Sequence, residues 1–400
     1  MTEQKTALQG LRVLEIGSLV AASSATRIMG DFGAEVIKIE PPSGDNLRAW
    51  GAVSPTGSSW WWQMQSRNKQ LVSVDLKKPE GQAIVRDLAR WADVVVANLR
   101  PATLRNWGLD YSRLKENHPS LVYVQITGHG LTGPYQDRPG FGNIAEAMGG
   151  IRYVTGYPDR PPVRTGVSLG DELAALYGVI GALTALRHRD NTGEGQLVDV
   201  ALTESVLSLT EAMMPEYLNE GIIQERSGNQ LLRAAPSGTY PTADGSWVAI
   251  GANTEGTFAA LASAMNRVDL LSDPRFADNP QRVKHADVLD EVITKWTSSL
   301  TATLVLEKLT TAQVPAGLVM SAKDIAQDPQ FLARDMMVRV PADQGEFVGM
   351  LGVVPRLSAT PGRILLAGGA VGRDSSDVLQ RVLGRSLIDI DRLKAEGVIR

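Results

Sequence analysis

The sequence contains no cysteine. That absence removes thiolate nucleophiles, disulfides, iron–sulfur ligation and thiolate zinc sites together. Histidine is scarce. Among 400 residues only His118, His129, His188 and His285 carry an imidazole, and they form no H-x-x-x-H or H-x-x-E-H pair. A histidine-rich metal centre is therefore not expected, and no metal ligand set is assigned. A basic excess is missing as well: 44 acidic against 40 basic residues leave a net charge of −4. Chains that bind polyanions broadly carry the opposite balance, so nucleic acid is not an expected partner. Long hydrophobic runs are absent too. Met1–Gln9 is polar, without the apolar core of a secretion signal. The most apolar stretch, Leu173–Leu186, has 14 residues, too few to span a bilayer, and reads as a buried helix. These absences describe a soluble cytoplasmic protein with no membrane partner.

What is present is ordinary globular composition, 43% hydrophobic and 21% charged. The first half alternates β-rich and helical runs. Leu11–Ile16, Val36–Glu40, Gln70–Asp75, Asp93–Asn98 and Leu121–Thr127 read as strands; Ala21–Phe32 and Pro79–Ala92 read as helices. Strands this apolar, separated by helices, predict a doubly wound α/β fold whose parallel sheet is covered on both faces. Such sheets bind ligands beyond the carboxyl ends of their strands. After about residue 205 the pattern changes. Residues 206–237 read as a linker and 238–330 as a smaller α+β unit, with a strand at Trp247–Gly251 and helices at 255–266, 286–299 and 301–312. The tail adds a strand-like Val348–Val354 and a final helix at 374–383.

Four features bear on chemistry. Gly128-His129-Gly130-Leu131-Thr132-Gly133 fits G-x-G-x-x-G after a strand, but Pro134 and the polar run behind it predict a loop rather than the helix a dinucleotide needs. Asp171 opens the apolar helical run; its carboxylate serves either as an N-cap or as a nucleophile held ionised at the positive end of a helix. A basic series, Lys38, Arg48, Lys69, Lys77, Lys78, Arg100 and Arg105, is spread over the first sheet. Lys77, Arg100 and Arg105 follow strands on the carboxyl side, where several cations suit a phosphorylated adenylate. Trp60-Trp61-Trp62 cannot all face one core, and subunit packing is favoured over ligand stacking.

Several ordered segments resemble the class III CoA-transferases, the CaiB–BaiF group. They include LRVLEIGSLVAASSATRIMGDFGAEVIKIEPPSGDNLR (11–48), RNKQLVSVDLKKPEG (67–81), ADVVVANLRPATLRNWGLDY (92–111) and GVSLGDELAALYGVIGALTALRHRDNTGEGQLVDVAL (166–202), and the likeness spans nearly the whole chain. The resemblance implies a Rossmann-like large domain built from both chain ends (1–205 and 335–400), a smaller middle domain, and an interlocked homodimer. It implies that Asp171 attacks an acyl-CoA thioester to give an aspartyl–acyl anhydride, then an aspartyl-CoA thioester, before CoA passes to a free carboxylic acid. It places Leu19, Val20, Ala21, Leu76, Lys77 and Asn98 around CoA, with Arg100 and Arg105 near its adenine and phosphates. The partners are then an acyl-CoA donor and a carboxylic acid acceptor; coenzyme A travels as part of donor and product, and no tightly bound cofactor is expected.

Two departures narrow this. The stretch Arg226–Tyr240 lacks the glycine run of the formyl-CoA:oxalate transferases. Gly140-Phe141-Gly142 stands where 2-methylacyl-CoA racemases carry a catalytic His, so the racemase alternative lacks half of its acid–base pair. A non-catalytic CoA-binding paralogue is the third reading. Arg160, Arg164 and Arg233 are candidate partners for a second substrate carboxylate, which makes a short dicarboxylyl-CoA such as succinyl-CoA the expected donor.

Overall fold

The computed structural model describes residues 5–55 and 57–400. The first four residues of the polar N-terminal stretch lie outside that description. The chain forms two compact units: Met1–Ile151, Thr165–Met214 and Leu332–Arg400 in one, Arg152–Arg164 and Pro215–Phe331 in the other. Residues 152–164 thus group with the second unit, and the stretch read as a linker divides between the two at Met214.

In the first unit, β1 (Arg12–Ile16), β2 (Glu35–Glu40), β3 (Lys69–Ser73), β4 (Val94–Ala97), β5 (Val122–Thr127) and β6 (Leu197–Ala201) make one sheet. Its order is β3-β2-β1-β4-β5-β6 and every neighbouring pair is parallel. The order reverses between β1 and β4, the crevice where doubly wound sheets bind ligands. The helices along this stretch are α1 (Ala21–Asp31), α2 (Trp60–Gln65), α3 (Pro79–Trp91), α4 (Pro101–Trp107), α5 (Tyr111–Lys115), α6 (Gly142–Met148), α7 (Ile151–Val154), α8 (Leu169–Thr192) and α9 (Leu202–Leu207), of which α7 lies in the second unit beyond its first residue. Alternation along each strand sends Leu14, Ile37 and Val95 to a layer with α3, and Val13, Val36, Val94 and Val124 to a layer with α1 and α8.

Strand β6 is an addition to the five expected. Its Leu197 and Asp199 are exposed, so it lacks the apolar run that marks the other strands. Helix α8 has 24 residues, not the 14 of its most apolar stretch. By length and composition it is the one helix among the described residues able to cross a membrane. Here it lies on the sheet through small residues, Ala174, Gly178, Ala182 and Ala185, which let it approach β5 and α1 closely. Its other side carries Leu176, Tyr177, Ile180 and Leu183 into the open, so the expectation of a buried helix holds for one face only.

The second unit contains most of α10 (Met213–Glu220), then β7 (Ser237–Pro241), β8 (Trp247–Gly251) and β9 (Ala316–Leu318), paired antiparallel in that order. Helices α11 (Glu255–Ala264), α12 (Asn279–Lys284), α13 (Ala286–Thr297), α14 (Ala302–Thr311), α15 (Ala322–Gln327) and α16 (Pro329–Ala333) complete it. Phe258, Phe276, Leu289 and Val305 fill its core. The chain then returns to the first unit with the hairpin β10 (Met337–Pro341) and β11 (Phe347–Leu351), followed by α17 (Ser375–Leu383) and α18 (Leu387–Ala395). The return is stitched to the sheet edge: Leu71 N–H donates to Asp374 Oδ2 at 2.7 Å, and Asp75 N–H to the Val398 carbonyl at 2.8 Å. The helix expected to end the chain, α17, is thus followed by another.

Candidate active site

The loops after β1 and β4 are clamped at the point where the sheet order reverses. Asn98 Nδ2 donates to the Ser18 carbonyl and Asn98 Oδ1 accepts from the Ser18 N–H, both at 2.9 Å. Leu19 follows with φ +61°, a left-handed conformation that costs a branched L-residue energy and persists only when its surroundings enforce it. The enforcing group is Asp45, whose Oδ1 accepts from Leu19 N–H at 3.2 Å and from Leu47 N–H at 2.9 Å. Val20 then opens α1 without a side-chain cap. Beside this loop lies a cleft of about 360 Å³, lined among others by Gly17, Ser18, Asp45, Leu76, Lys77 and Trp107.

Of the eight residues singled out for CoA, two form part of the wall of this cleft. Leu76 and Lys77 line it. Leu19, Val20 and Ala21 continue directly from its Ser18 wall, and Asn98 braces that wall rather than presenting a free amide. Arg100 caps α4 and Arg105 lies on it, both exposed, on the helix that also supplies Trp107.

The basic series divides. Lys38 and Lys69 project from β2 and β3 into the interior, where Glu15 of β1 meets both ammonium groups at 2.6 and 2.9 Å. Lys38 also pairs with Asp45 at 3.1 Å, and Ser23 of α1 donates to Glu15 at 2.6 Å. Burial alone would raise the Glu15 carboxyl, but the two lysines outweigh it and hold it well below the ordinary range. Burial drives Lys69 down to about 8, against the pull of Glu15. Lys38 is desolvated too, yet Glu15 and Asp45 together raise it. Arg48 is bound to Glu40 through Nη2 and Nε at 2.7 and 2.9 Å and stacks on Trp62 at 3.8 Å. Lys78 donates to the Glu396 carbonyl. Strand alternation thus buries Lys38 and Lys69 on Glu15, and Glu40 holds the partly buried Arg48, so none of the three is presented as a free cation. Lys77, Arg100 and Arg105 remain exposed. The tryptophan run splits similarly: Trp62 is buried, with its indole N–H on the Gly369 carbonyl, while Trp60 is half-exposed.

Asp171 lies at the same edge of the sheet. Helix α8 runs into β6 through Gly193–Gly195, whose last N–H meets the Pro119 carbonyl just before β5. The C-terminus of α8 is thus at the amino edge of the sheet and its N-terminus at the carboxyl edge. Ser168, not Asp171, is the N-cap; Asp171 is the third residue of the helix, inside the first turn. The carboxylate is partly exposed, at a helix end that favours negative charge. It rests against Gly142 at the start of α6: a β-carbon there would stand 2.1 Å from Asp171 Oδ2. Gly170 is also close, with a β-carbon 2.9 Å from the Gly142 carbonyl oxygen. A second glycine contact, Gly128 against Gly140, folds the loop after β5 back to deliver Gly142; a β-carbon on either would lie within 2.7 Å of the other's Cα. The G-x-G-x-x-G segment is thus a loop, and His129 within it packs edge-on to Tyr135, ring centroids 6.0 Å apart.

Two neighbours of Asp171 were not legible from motif spacing. Glu172 accepts from Ser24 Oγ of α1 at 2.8 Å and from Gln65 Nε2 of α2 at 3.1 Å. Glu146 of α6 is buried, and its Oε1 accepts from Gly170 N–H at 3.4 Å. The only sequence signal for Glu172 was its adjacency to Asp171; Glu146 gave none. The arginines considered for a substrate carboxylate belong to the second unit. Arg233 donates to Glu216 at 2.8 and 3.1 Å, Arg160 lies over Tyr157 at 5.4 Å, and Arg164 is exposed. Among the described residues no group of three or more His, Asp or Glu is arranged to hold a metal ion.

A family model described as CoA-transferase family III matches residues 8–375. The chain belongs to this family. It is accordingly an enzyme of CoA-transferase type. Among characterised relatives, a succinyl-CoA–D-citramalate CoA-transferase of Chloroflexus aurantiacus is 46% identical over 98% of both chains. The β subunit of a succinyl-CoA–L-malate CoA-transferase from the same organism is 40% identical, again over 98% of each. A succinate–glutarate CoA-transferase of Agrobacterium fabrum is 34% identical over 95% of this chain and 96% of its own. Among solved structures, a CaiB/BaiF family protein from Brucella suis superposes with a TM-score of 0.85 at 34% identity, over 95% of this chain and all of that one. The mixed α/β architecture with its central parallel sheet is therefore that of other CoA-transferase family III relatives.

Proposed function

We propose that this family III enzyme moves CoA from succinyl-CoA to a short 2-hydroxydicarboxylic acid, with Asp171 as nucleophile. The observation that carries the reading is the Asp171 carboxylate, partly exposed in the first turn of α8, at the same edge of the sheet as the cleft walled by Leu76 and Lys77. The donor and acceptor follow the names of the relatives that act on succinyl-CoA with D-citramalate or L-malate.

The steps balance without a metal or redox group. Asp171 Oδ attacks the succinyl thioester carbon, the C–S bond breaks, and CoA thiolate leaves an aspartyl–succinyl anhydride. The thiolate attacks the aspartyl carbonyl and succinate departs, leaving an aspartyl-CoA thioester. The acceptor carboxylate attacks that carbonyl and releases thiolate again. The thiolate then attacks the acceptor acyl carbon, giving acceptor-CoA and free Asp171. Each intermediate conserves the thioester's energy, and each is lost if water reaches it. The dipole of α8 favours the carboxylate of Asp171 and each oxyanion built on it. Lys77, Arg100 and Arg105 supply cations for the phosphates, and the Ser18–Ala21 loop flanks the CoA chain.

Asp171→Asn is expected to abolish CoA transfer from succinyl-CoA to malate or citramalate while CoA binding, read by calorimetry, stays within about threefold. Retained transfer in that variant removes Asp171 from the role. Racemisation is disfavoured because Phe141 and Gly142, which open α6 beside Asp171, carry no titratable group; α-carbon deuterium exchange in a 2-methylacyl-CoA would reinstate it. The homodimer also belongs to this proposal: the open apolar stripe of α8 is the surface a second copy would cover.

A further inference from the structure

Glu146 is a carboxylate that the reaction does not use, yet it is 1% exposed and sits beside the residue preceding the nucleophile. A buried carboxylate is costly unless it is hydrogen-bonded, so its partners indicate its purpose. One of them is the Gly170 N–H, an amide of the first turn of α8 that has no partner within the helix. Gly170 carries no side chain to hold it in place, and its close approach to the Gly142 carbonyl leaves no room for one. The other flank of the turn is already fixed, because Glu172 is held by Ser24 and Gln65. Asp171 therefore stands between two carboxylates, one tying its turn to α1 and α2, the other tying it to α6.

We propose that Glu146 is a positioning residue: by accepting the Gly170 N–H it holds the first turn of α8 against α6, and so fixes the direction from which Asp171 meets the thioester. The inference rests on Asp171 being the nucleophile. It attributes the effect to the reach of the side chain, not to its charge. Glutamine keeps that reach without the charge; aspartate keeps the charge but is one methylene too short. A displacement of the nucleophile by about 1 Å costs on the order of 10²-fold in rate, whereas binding of distant CoA groups is spared.

The test compares Glu146→Asp and Glu146→Gln in the full chain. In Glu146→Asp, kcat with succinyl-CoA is expected to fall by about 10²-fold while KM stays within about threefold. Amide hydrogen exchange over 168–174 is expected to rise in the same variant. Glu146→Gln should restore at least about tenfold of the lost kcat and return exchange towards that of the parent. The opposite order, with aspartate active and glutamine impaired, overturns the proposal in favour of charge. Unchanged kcat and exchange in both variants overturns it outright. Should Glu146→Asp unfold, the exchange and kcat of Glu146→Gln decide: a loss of protection there, with the reach intact, is also fatal. Failure of the nucleophile assignment is separable. Asp171→Asn would then retain transfer, while the exchange difference between the two Glu146 variants would persist.

Discussion

Gly142 and Asp171 are in such close contact that a single methyl group on the glycine would occupy the place of the carboxylate, 2.1 Å from its Oδ2. Gly142→Ala is therefore expected to push Asp171 aside without disturbing the CoA cleft. Steady-state kinetics should show kcat lower by about 10²-fold and KM for the CoA donor within about threefold of the parent. Equal kcat in the variant would mean that the nucleophile has another productive position.

Asn98 spends both halves of its amide on the Ser18 peptide. Asn98→Ala removes both bonds at once and leaves that peptide to water, at a cost of about 1–3 kcal/mol in stability. The consequence for function is a loosened Ser18–Ala21 loop. KM for succinyl-CoA should rise by about tenfold or more, with a smaller change in kcat; a variant altered in kcat alone would argue that the loop does not touch CoA.

Among the described residues, Glu15 is the one carboxylate bonded to both Lys38 and Lys69. Removing one partner from a buried ion cluster strands the others, so Glu15→Gln is expected to lower the unfolding free energy by about 3–5 kcal/mol in denaturant titrations. A loss below about 1 kcal/mol would show that water reaches the cluster.

Lys69, lowered to about 8 by burial, also gives the protein a basic-range signature. An unfolded lysine keeps its proton to about pH 10.4. Between these values the unfolded chain binds more protons than the native one, so this group's contribution to stability rises with pH and is least favourable below about pH 8. Lys38, raised instead, keeps its contribution until pH exceeds the ordinary lysine range. Unfolding measured from pH 7 to 10 should show an upward component in the parent that Lys69→Met lacks; identical slopes would contradict it.

The open stripe of α8 predicts self-association. Ile180 is 58% exposed at its centre. Ile180→Asp is expected to shift sedimentation toward the monomer, whereas a parent that is itself monomeric at micromolar concentration would leave the stripe without its proposed partner.

Much of this was legible in the residues. The apolar runs at 11–16, 36–40, 93–98 and 121–127 are strands because a parallel sheet covered on both faces needs little else. Strand β6 escaped because an edge strand with Leu197 and Asp199 open does not advertise itself. Asp171 stood out as a carboxylate opening an apolar helix, although the N-cap position belongs to Ser168, which makes no side-chain capping bond. Lys38 and Lys69 looked like surface cations because a sequence carries no record of which strand face meets Glu15. Glu146 and Ser24 were invisible for the same reason: each acts on a residue far away in the chain, through a contact that only folding creates.

Ser23 and Ser24 are adjacent on α1, yet their hydroxyls answer to different carboxylates, Glu15 of β1 and Glu172 next to Asp171. One helix therefore serves as a ruler. Its first residues continue from the cleft wall and its second turn grips the turn that carries Asp171. With Asp171 as the proposed nucleophile, its separation from the Ser18–Ala21 loop is thereby set by backbone geometry, independent of the acyl group. On the proposed mechanism, one acid can be exchanged for another by altering what lies beyond Asp171, while the thioester keeps arriving at the same mark.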